Sequence, residues 1–219
     1  MSRTLRVMAV ASAAAITGAP LLLAAPALAH ASPVSRYPTE GAVLAASPSS
    51  VRVTFNEPVS GGTDALQVVT RSGAVKSGSA RVTGSTVSAP VSRLTPGRYA
   101  LVWKVASDDG HPVHQASGFS VGRADPPASP TTVRLSGEAV TLSGDRVGTR
   151  SFALGGTLVR AIGQVEWRYP GLAAPFVWSL SSGKARGMLP FAGTYSVTIR
   201  AYTPATSSRV LVGSIRIRG

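Results

Sequence analysis

Apolar and polar residues alternate along several short segments of the chain. From Val51 to Phe55 every second residue is apolar, and the residues between them are polar. This period of two is typical of a half-buried β-strand. Similar segments occur at residues 66–70, 99–105, 118–121, 133–135, 139–142, 194–200, 209–212 and 215–217. No segment after residue 29 has sustained helical periodicity, so the pattern predicts an all-β protein.

Turn-forming residues separate these segments. Clusters of Gly, Ser, Thr and Pro occur at residues 60–63, 84–85 and 95–97. Many short strands divided by such turns favour a sandwich or a barrel. Residues 122–130 then contain three prolines among small residues, a composition typical of a stiff interdomain linker. We therefore predict a first domain at residues 30–122, a linker at 123–131 and a second, smaller β-sandwich-like domain at 132–219.

A short sequence motif is repeated in the two predicted domains. A Gly-x-Tyr element opens an alternating strand at Tyr99 and again at Tyr195, each time after a Leu and a Pro. In immunoglobulin-like sandwiches a tyrosine at this corner bonds back to the chain through its hydroxyl. Gly-x-Tyr before a strand is also common in β-proteins generally. The repeated motif supports two stacked sandwich domains without implying a duplicated function.

The first 29 residues read as a secretory signal peptide. Arg3 and Arg6 precede an apolar stretch from residue 7 to about residue 25, and Ala-Leu-Ala at 27–29 matches a cleavage site. A retained membrane anchor is the alternative, but Pro20 interrupts the apolar run. We expect an exported, extracytoplasmic protein, located in the periplasm or cell envelope, that begins at His30.

Composition narrows the chemistry. The chain has no cysteine, which excludes disulfides, thiolate metal sites and thiol catalysis. Its formal net charge is +13, and removal of the signal peptide would leave about +11. The basic residues are scattered singly, so a solvated surface is favoured over nucleic-acid binding. Electrostatic contact with an anionic cell envelope stays open.

Three histidines carry the candidate chemistry: His30, His111 and His114. An N-terminal His30 would offer both its α-amine and its imidazole to one metal ion. Asp109 and His111 flank Gly110 and can converge on the same ion. Nitrogen and oxygen donors without sulfur suit tetragonal Cu(II). Met188 is the only methionine outside the signal peptide, too few for a Cu(I) site.

Several ordered motifs resemble the CopC copper-resistance family. They are His-Ala-Ser-Pro at 30–33, Pro-Thr-Glu-Gly at 38–41, Phe-Asn-Glu-Pro at 55–58, Ser-Asp-Asp-Gly-His-Pro at 107–112 and Phe-Ser-Val at 119–121. The resemblance covers about residues 30–122. It implies an immunoglobulin-like Greek-key β-sandwich that binds Cu(II) through His30, Asp109 and His111. It also places Glu57 beside the copper, as an acceptor for the amine or a bound water rather than a direct ligand.

The sequence departs from the family at two points. The methionine-rich segment of some relatives is missing, which puts transfer between two copper sites in doubt. His114 stands where relatives usually carry a small polar residue. Three residues from His111 in a strand, it would face the opposite side. It is either an auxiliary ligand or a surface residue, and we favour the surface residue.

These features predict a monomeric Cu(II)-binding protein and not an enzyme. Its function would be copper buffering, resistance or delivery to a membrane copper transporter of the CopD type. The alternative is a copper monooxygenase with an N-terminal histidine clamp, of the lytic polysaccharide monooxygenase type. Asp109 disfavours it, because a bound carboxylate favours holding Cu(II) over cycling through Cu(I). A third reading is a structural envelope module docked through the basic second domain.

The aromatic residues near Pro170 and Pro175 leave one question open. Trp167, Tyr169 and Trp178 could form a binding surface or pack inside the second domain. We favour packing. No motif in residues 131–219 otherwise indicates a role.

Overall fold

A computed structural model describes residues 30–203 and 206–219. The predicted signal peptide, residues 1–29, lies outside the described residues. Seventeen strands and one short 3-10 turn, Gly156–Leu158, make up this part of the chain. The strands are β1 Pro33–Tyr37, β2 Val43–Leu44, β3 Ser50–Phe55, β4 Val59–Ser60, β5 Leu66–Val69, β6 Arg81–Thr83, β7 Thr86–Pro90, β8 Gly97–Ser107, β9 Pro112–Val121, β10 Thr131–Leu135, β11 Glu138–Leu142, β12 Gly148–Leu154, β13 Ile162–Arg168, β14 Phe176–Leu180, β15 Lys184–Leu189, β16 Gly193–Thr203 and β17 Thr206–Ile217. The prediction of an all-β fold is confirmed.

The strands form three sheets. One four-stranded sheet has the order β1-β3-β7-β6, and another has the order β10-β11-β12-β15. A nine-stranded sheet runs β17-β16-β13-β14-β9-β8-β4, with β2 paired to β9 and β5 paired to β8. The long sheet therefore contains strands from both halves of the chain.

The first half is a sandwich whose core follows the predicted alternation. Val51, Val53 and Phe55 of β3 are buried, while Arg52 between them is exposed. Their core also contains the fully buried Trp103 of β8 and residues of β5, β7 and β9. The sheet β1-β3-β7-β6 thus packs against one face of the nine-stranded sheet.

The second half has a core of its own, rich in aromatic side chains. Trp167 and Trp178 are buried, with ring centroids 4.9 Å apart, and Tyr195 packs edge-on against Trp167. Tyr169 is partly buried against the same cluster. These positions settle the open question in favour of packing, because the buried rings cannot form an exposed binding surface.

Both Gly-x-Tyr elements form tyrosine corners. The hydroxyl of Tyr99 donates to the carbonyl of Thr95 at 2.7 Å, and that of Tyr195 donates to the carbonyl of Phe191 at 2.9 Å. Each bond reaches four residues back along the chain. Burial raises the pKa of Tyr195 far above its usual range, so this hydroxyl stays protonated. The repeated Gly-x-Tyr element therefore forms the same tyrosine corner in both halves.

The two halves share an interface that the linker composition did not predict. Strand β14 pairs in parallel with β9 at Phe176 and Ala116, and the Ala116 amide donates to the carbonyl of Pro175 at 2.7 Å. Ala100 and Val102 of β8 and Ala116 of β9 belong to the core of the second half. The halves are thus built on one sheet.

The partly buried carboxylate of Glu40 also lies at this interface. Oε1 of Glu40 accepts a hydrogen bond from the Met188 amide at 2.6 Å and a longer one from the Gly118 amide at 3.5 Å. Burial raises the pKa of Glu40 to about 6, and the hydrogen bonds and Arg36 only partly offset it.

In the part of the chain that the structure describes, no helix is long and apolar enough to cross a membrane.

Candidate metal site

The turn between β8 and β9 carries two of the predicted ligands. The Gly110 amide donates to the carbonyl of Ser107 at 2.8 Å, and the Ser107 amide donates to the carbonyl of His111 at 2.9 Å. Gly110 has φ +83°, in the left-handed region that favours glycine. The turn reverses the chain between two long paired strands, which fixes the positions of Asp109 and His111.

Asp109 organises this turn. Its Oδ1 accepts hydrogen bonds from the buried Ser107 hydroxyl at 2.6 Å and the His111 amide at 3.1 Å, and its Oδ2 lies 2.9 Å from His111 Nδ1. The Ser107 hydrogen bond is the main cause that lowers the pKa of Asp109 to about 2, followed by the His111 amide. Asp109 is therefore an ionised acceptor across the whole physiological range.

His30 reaches this turn from the other end of the first half. Its imidazole lies beside that of His111, with ring centroids 4.6 Å apart and planes inclined by 44°. The segment is held by Ala31, which is buried, and by the Ser32 amide, which donates to Asn56 Oδ1 at 2.6 Å. The backbone that follows His30 is thus held in place, while the His30 side chain is exposed.

The three side chains form a cluster that can hold a metal ion. One donor atom from each of His30, Asp109 and His111 lies within 4.8 Å of the other two. Two imidazoles and an ionised carboxylate, all exposed, match the nitrogen and oxygen donors that a divalent transition metal such as Cu(II) prefers.

Glu57 lies outside this cluster. It follows Asn56 in the connection between β3 and β4, the same connection that holds Ser32. Its Oε1 is buried and has no hydrogen-bond partner among residues 30–203 and 206–219. A buried carboxylate oxygen without a donor is costly, so this position is suited to receive one.

Comparison with known proteins assigns the first half to a family. Residues 33–122 match the family model of the CopC domain. Residues 33–122 are a CopC domain, which covers about two fifths of the chain. The CopC family is one of copper-binding proteins, so the match supports copper binding in general.

Solved structures resemble different parts of the chain. CopC from Methylosinus trichosporium OB3b is 22% identical, with a TM-score of 0.39, over 45% of this chain and 99% of that chain. The fibronectin(III)-like modules of CbhA from Clostridium thermocellum are 14% identical, with a TM-score of 0.28, over 86% of this chain and 94% of that chain. Comparison with curated proteins gives no match.

A groove joins the CopC domain to the second half beside His30. It has a volume of about 380 Å³, and His30 and His114 line it together with Gln164, Glu166 and Arg168 of β13. His114 is not part of the three-residue cluster. It is exposed on β9 opposite Lys104. The expectation that it is a surface residue agrees with this position, but no sequence pattern indicates that it shares a groove with His30.

Two contributions to the site were not predicted from the sequence. Ser107 is the buried hydroxyl that holds Asp109, and its place at the end of an apolar strand, directly before the Asp-Asp-Gly turn, was an available signal. The β13 side chains of the groove were not detectable, because they lie more than 130 residues from His30 and show only ordinary strand alternation.

Proposed function

We propose that this protein holds one Cu(II) ion outside the cytoplasmic membrane, bound by His30, Asp109 and His111. The observation that carries the proposal is the convergence of these three donors within 4.8 Å in a CopC domain. Removal of residues 1–29 would free the α-amine of His30. Two nitrogens of one residue would then chelate the ion, with His111 and Asp109 completing a tetragonal set.

The contact between Asp109 and His111 defines how the ring is presented. A neutral His111 that donates from Nδ1 to Oδ2 of Asp109, 2.9 Å away, offers Nε2 as its free acceptor. Copper would then bind at Nε2, and Asp109 would orient the ring while contributing its charge. Direct coordination by Asp109 needs one of its oxygens to turn from this contact to the ion. Both modes require the ionised form of Asp109.

Glu57 would act beside the ion rather than on it. Its unpartnered Oε1 supports a role as acceptor for the freed amine of His30 or for a water bound to copper. His114, outside the cluster but on the groove, would at most assist the entry or exit of copper.

The ligand types support a use that keeps copper oxidised. A set without thiolate or a methionine cluster favours the retention of oxidised copper, so we propose a monomer for buffering, resistance or delivery to a membrane copper transporter of the CopD type. The basic second half would add electrostatic contact with the anionic cell envelope. The copper monooxygenase alternative gains no support, because the CopC family is not an enzyme family.

The test uses protein that begins at His30, compared with a version that carries one additional N-terminal glycine. One equivalent of Cu(II) is added to each, and EPR spectra are recorded. We expect a tetragonal nitrogen and oxygen signal that changes character with the added glycine, because the glycine removes the amine of His30 from the chelate. Identical spectra would contradict the terminal chelate, and absence of a bound-copper signal in both would contradict the site itself.

A further inference from the structure

The second half has an exposed sheet face beside the groove that His30 and His114 line, which we call the copper groove. In β13, Gln164, Glu166 and Arg168 alternate with the buried Val165 and Trp167, so they lie on the face away from the core. The neighbouring strands continue this face: β16 pairs with β13, and β17 pairs with β16. We call the outward residues of these three strands the outer face of the second half.

One end and one edge of the outer face are apolar. Ile162 and Tyr202 are direct cross-strand partners and are 54% and 53% exposed. On the last strand, Val210 and Val212 are 55% and 54% exposed. Val210 is opposite Arg200, two residues from Tyr202, so these side chains are neighbours on one surface. Four half-exposed apolar side chains gain free energy wherever a partner removes them from water.

The rest of the outer face is polar, with three arginines and one glutamate among neutral residues. Arg168, Arg200 and Arg216 are exposed on it, and Glu166 is the acidic residue among them, paired with both Arg168 and Arg200. The whole segment 125–219 has 11 Lys and Arg against 4 Asp and Glu, a surplus of about seven positive charges. Such a surface attracts an anionic partner over a range of about a Debye length.

The outer face runs directly into the copper groove. Gln164, Glu166 and Arg168 belong to both, and the opposite wall of the groove contains His30 and His114. Strands are spaced about 4.8 Å apart, so Val210 on β17 lies about two strand spacings from the β13 residues of the groove. A partner seated on the outer face would therefore lie next to the copper ligands.

We propose that the outer face of the second half binds the surface of an anionic lipid bilayer. Arginines would pair with lipid phosphates while the apolar side chains enter the boundary between headgroups and acyl chains. The apolar end distinguishes a bilayer from a soluble anionic polymer, which offers no apolar phase. This inference rests on the proposed extracytoplasmic location. It would hold the copper groove at the membrane surface, where an exchange partner in the membrane is reached without three-dimensional diffusion.

The test is sedimentation of the chain from His30 with vesicles of phosphatidylcholine alone and with vesicles of equal parts phosphatidylcholine and phosphatidylglycerol. We expect binding to the anionic vesicles that weakens with added salt. The variant R200Q/R216Q is expected to lower the partition coefficient about 25-fold, since each basic residue near an anionic surface contributes about fivefold. V210T/V212T keeps the β-branched shape and is expected to lower it about fivefold through lost apolar burial.

Matched controls lie on the CopC domain. R52Q/R81Q removes the same charge from two exposed arginines of β3 and β6, and V34T/V75T makes the same apolar change at exposed positions. These controls should bind the vesicles like the parent chain. Equal losses in R52Q/R81Q and R200Q/R216Q would overturn the proposal, as would binding of purified anionic polysaccharide in place of vesicles.

The copper EPR signal, recorded for every variant, separates this inference from the proposed function. An unchanged copper signal with absent vesicle binding would overturn only the bilayer proposal. Vesicle binding without a copper signal would overturn only the copper site.

Discussion

Replacing Asp109 by Asn tests whether the turn is built to present a charged acceptor to copper. Asn keeps an oxygen at the position of Oδ1, which can still accept from the Ser107 hydroxyl and the His111 amide. At the Oδ2 position an amide group would meet His111 Nδ1, which lies 2.9 Å away, and cannot accept its proton. The turn should survive, while the ring loses its orienting partner and the ion loses a negative charge.

The size of the effect follows from the role of Asp109. Loss of a carboxylate that orients a ligating histidine typically costs 10–100-fold in metal affinity, or about 1.4–2.8 kcal/mol. Direct coordination by Asp109 would put the loss at the upper end of this range or beyond. The Asp109 side chain is about one third exposed, and Asn keeps the bonds at the Oδ1 position, so the apoprotein should lose little stability.

The assay is Cu(II) competition against a chromogenic chelator, with thermal unfolding of the apoprotein measured in parallel. Asp108 gives a matched control, because it is the exposed neighbour in the same turn and D108N removes the same charge. We expect D109N to weaken copper binding at least tenfold and D108N to change it by less than about threefold. Equal losses in the two variants would refute the reasoning, because only overall charge would then matter.

Three further predictions concern pH, backbone and the interface. Copper affinity should fall on acidification, because protons compete with copper for nitrogen donors, whereas Asp109, with a pKa of about 2, stays ionised; affinity that stays flat on acidification would contradict the ligand set. G110A should cost about 1 kcal/mol in thermal stability, because φ is +83°, and should weaken copper binding. G73A, at φ +84° and with open space for a Cβ, should cost a similar amount without affecting copper. The free energy of unfolding should fall by about 2 kcal/mol as pH rises from below 4.5 to above 6, because the pKa of Glu40 is raised from 4.5 to about 6 and the native state holds its proton longer. E40Q should remove this pH dependence in chemical denaturation; an unchanged slope would show that another group is responsible.

Alternation of side chains predicted the strands in which one face is buried. β3 and β16 follow this rule, since Val53 and Val197 are buried and polar neighbours occupy much of the opposite face. β8 is an exception, because residues 99–103 are all buried. Strands such as β15 were missed, because Lys184–Leu189 ends in three consecutive buried residues and contains a glycine. A strand covered on both faces loses the period of two.

The residues of the candidate cluster could be named from the sequence, but its surroundings could not. Gly110 allows a tight turn, and an exposed carboxylate two residues from a histidine is a local signal that survives in the sequence. The groove depends on β13 lying two strands from β9 in the long sheet, a long-range pairing that begins with a single register pair, Phe176 with Ala116. No local pattern encodes such a contact, and the composition of the proline-rich linker does not indicate a shared sheet.

The shared sheet bears on how the chain can be divided. Ala100, Val102 and Ala116 are almost fully buried, and they pack into the core of the second half. Gly118 also packs closely against the second half, because a Cβ there would lie 2.8 Å from Cβ of Met188. A fragment cut in the linker would expose this apolar strip to water. Expressed alone, the CopC portion would tend to self-associate through the strip, and copper measured on such a fragment would report an aggregating species rather than the native protein.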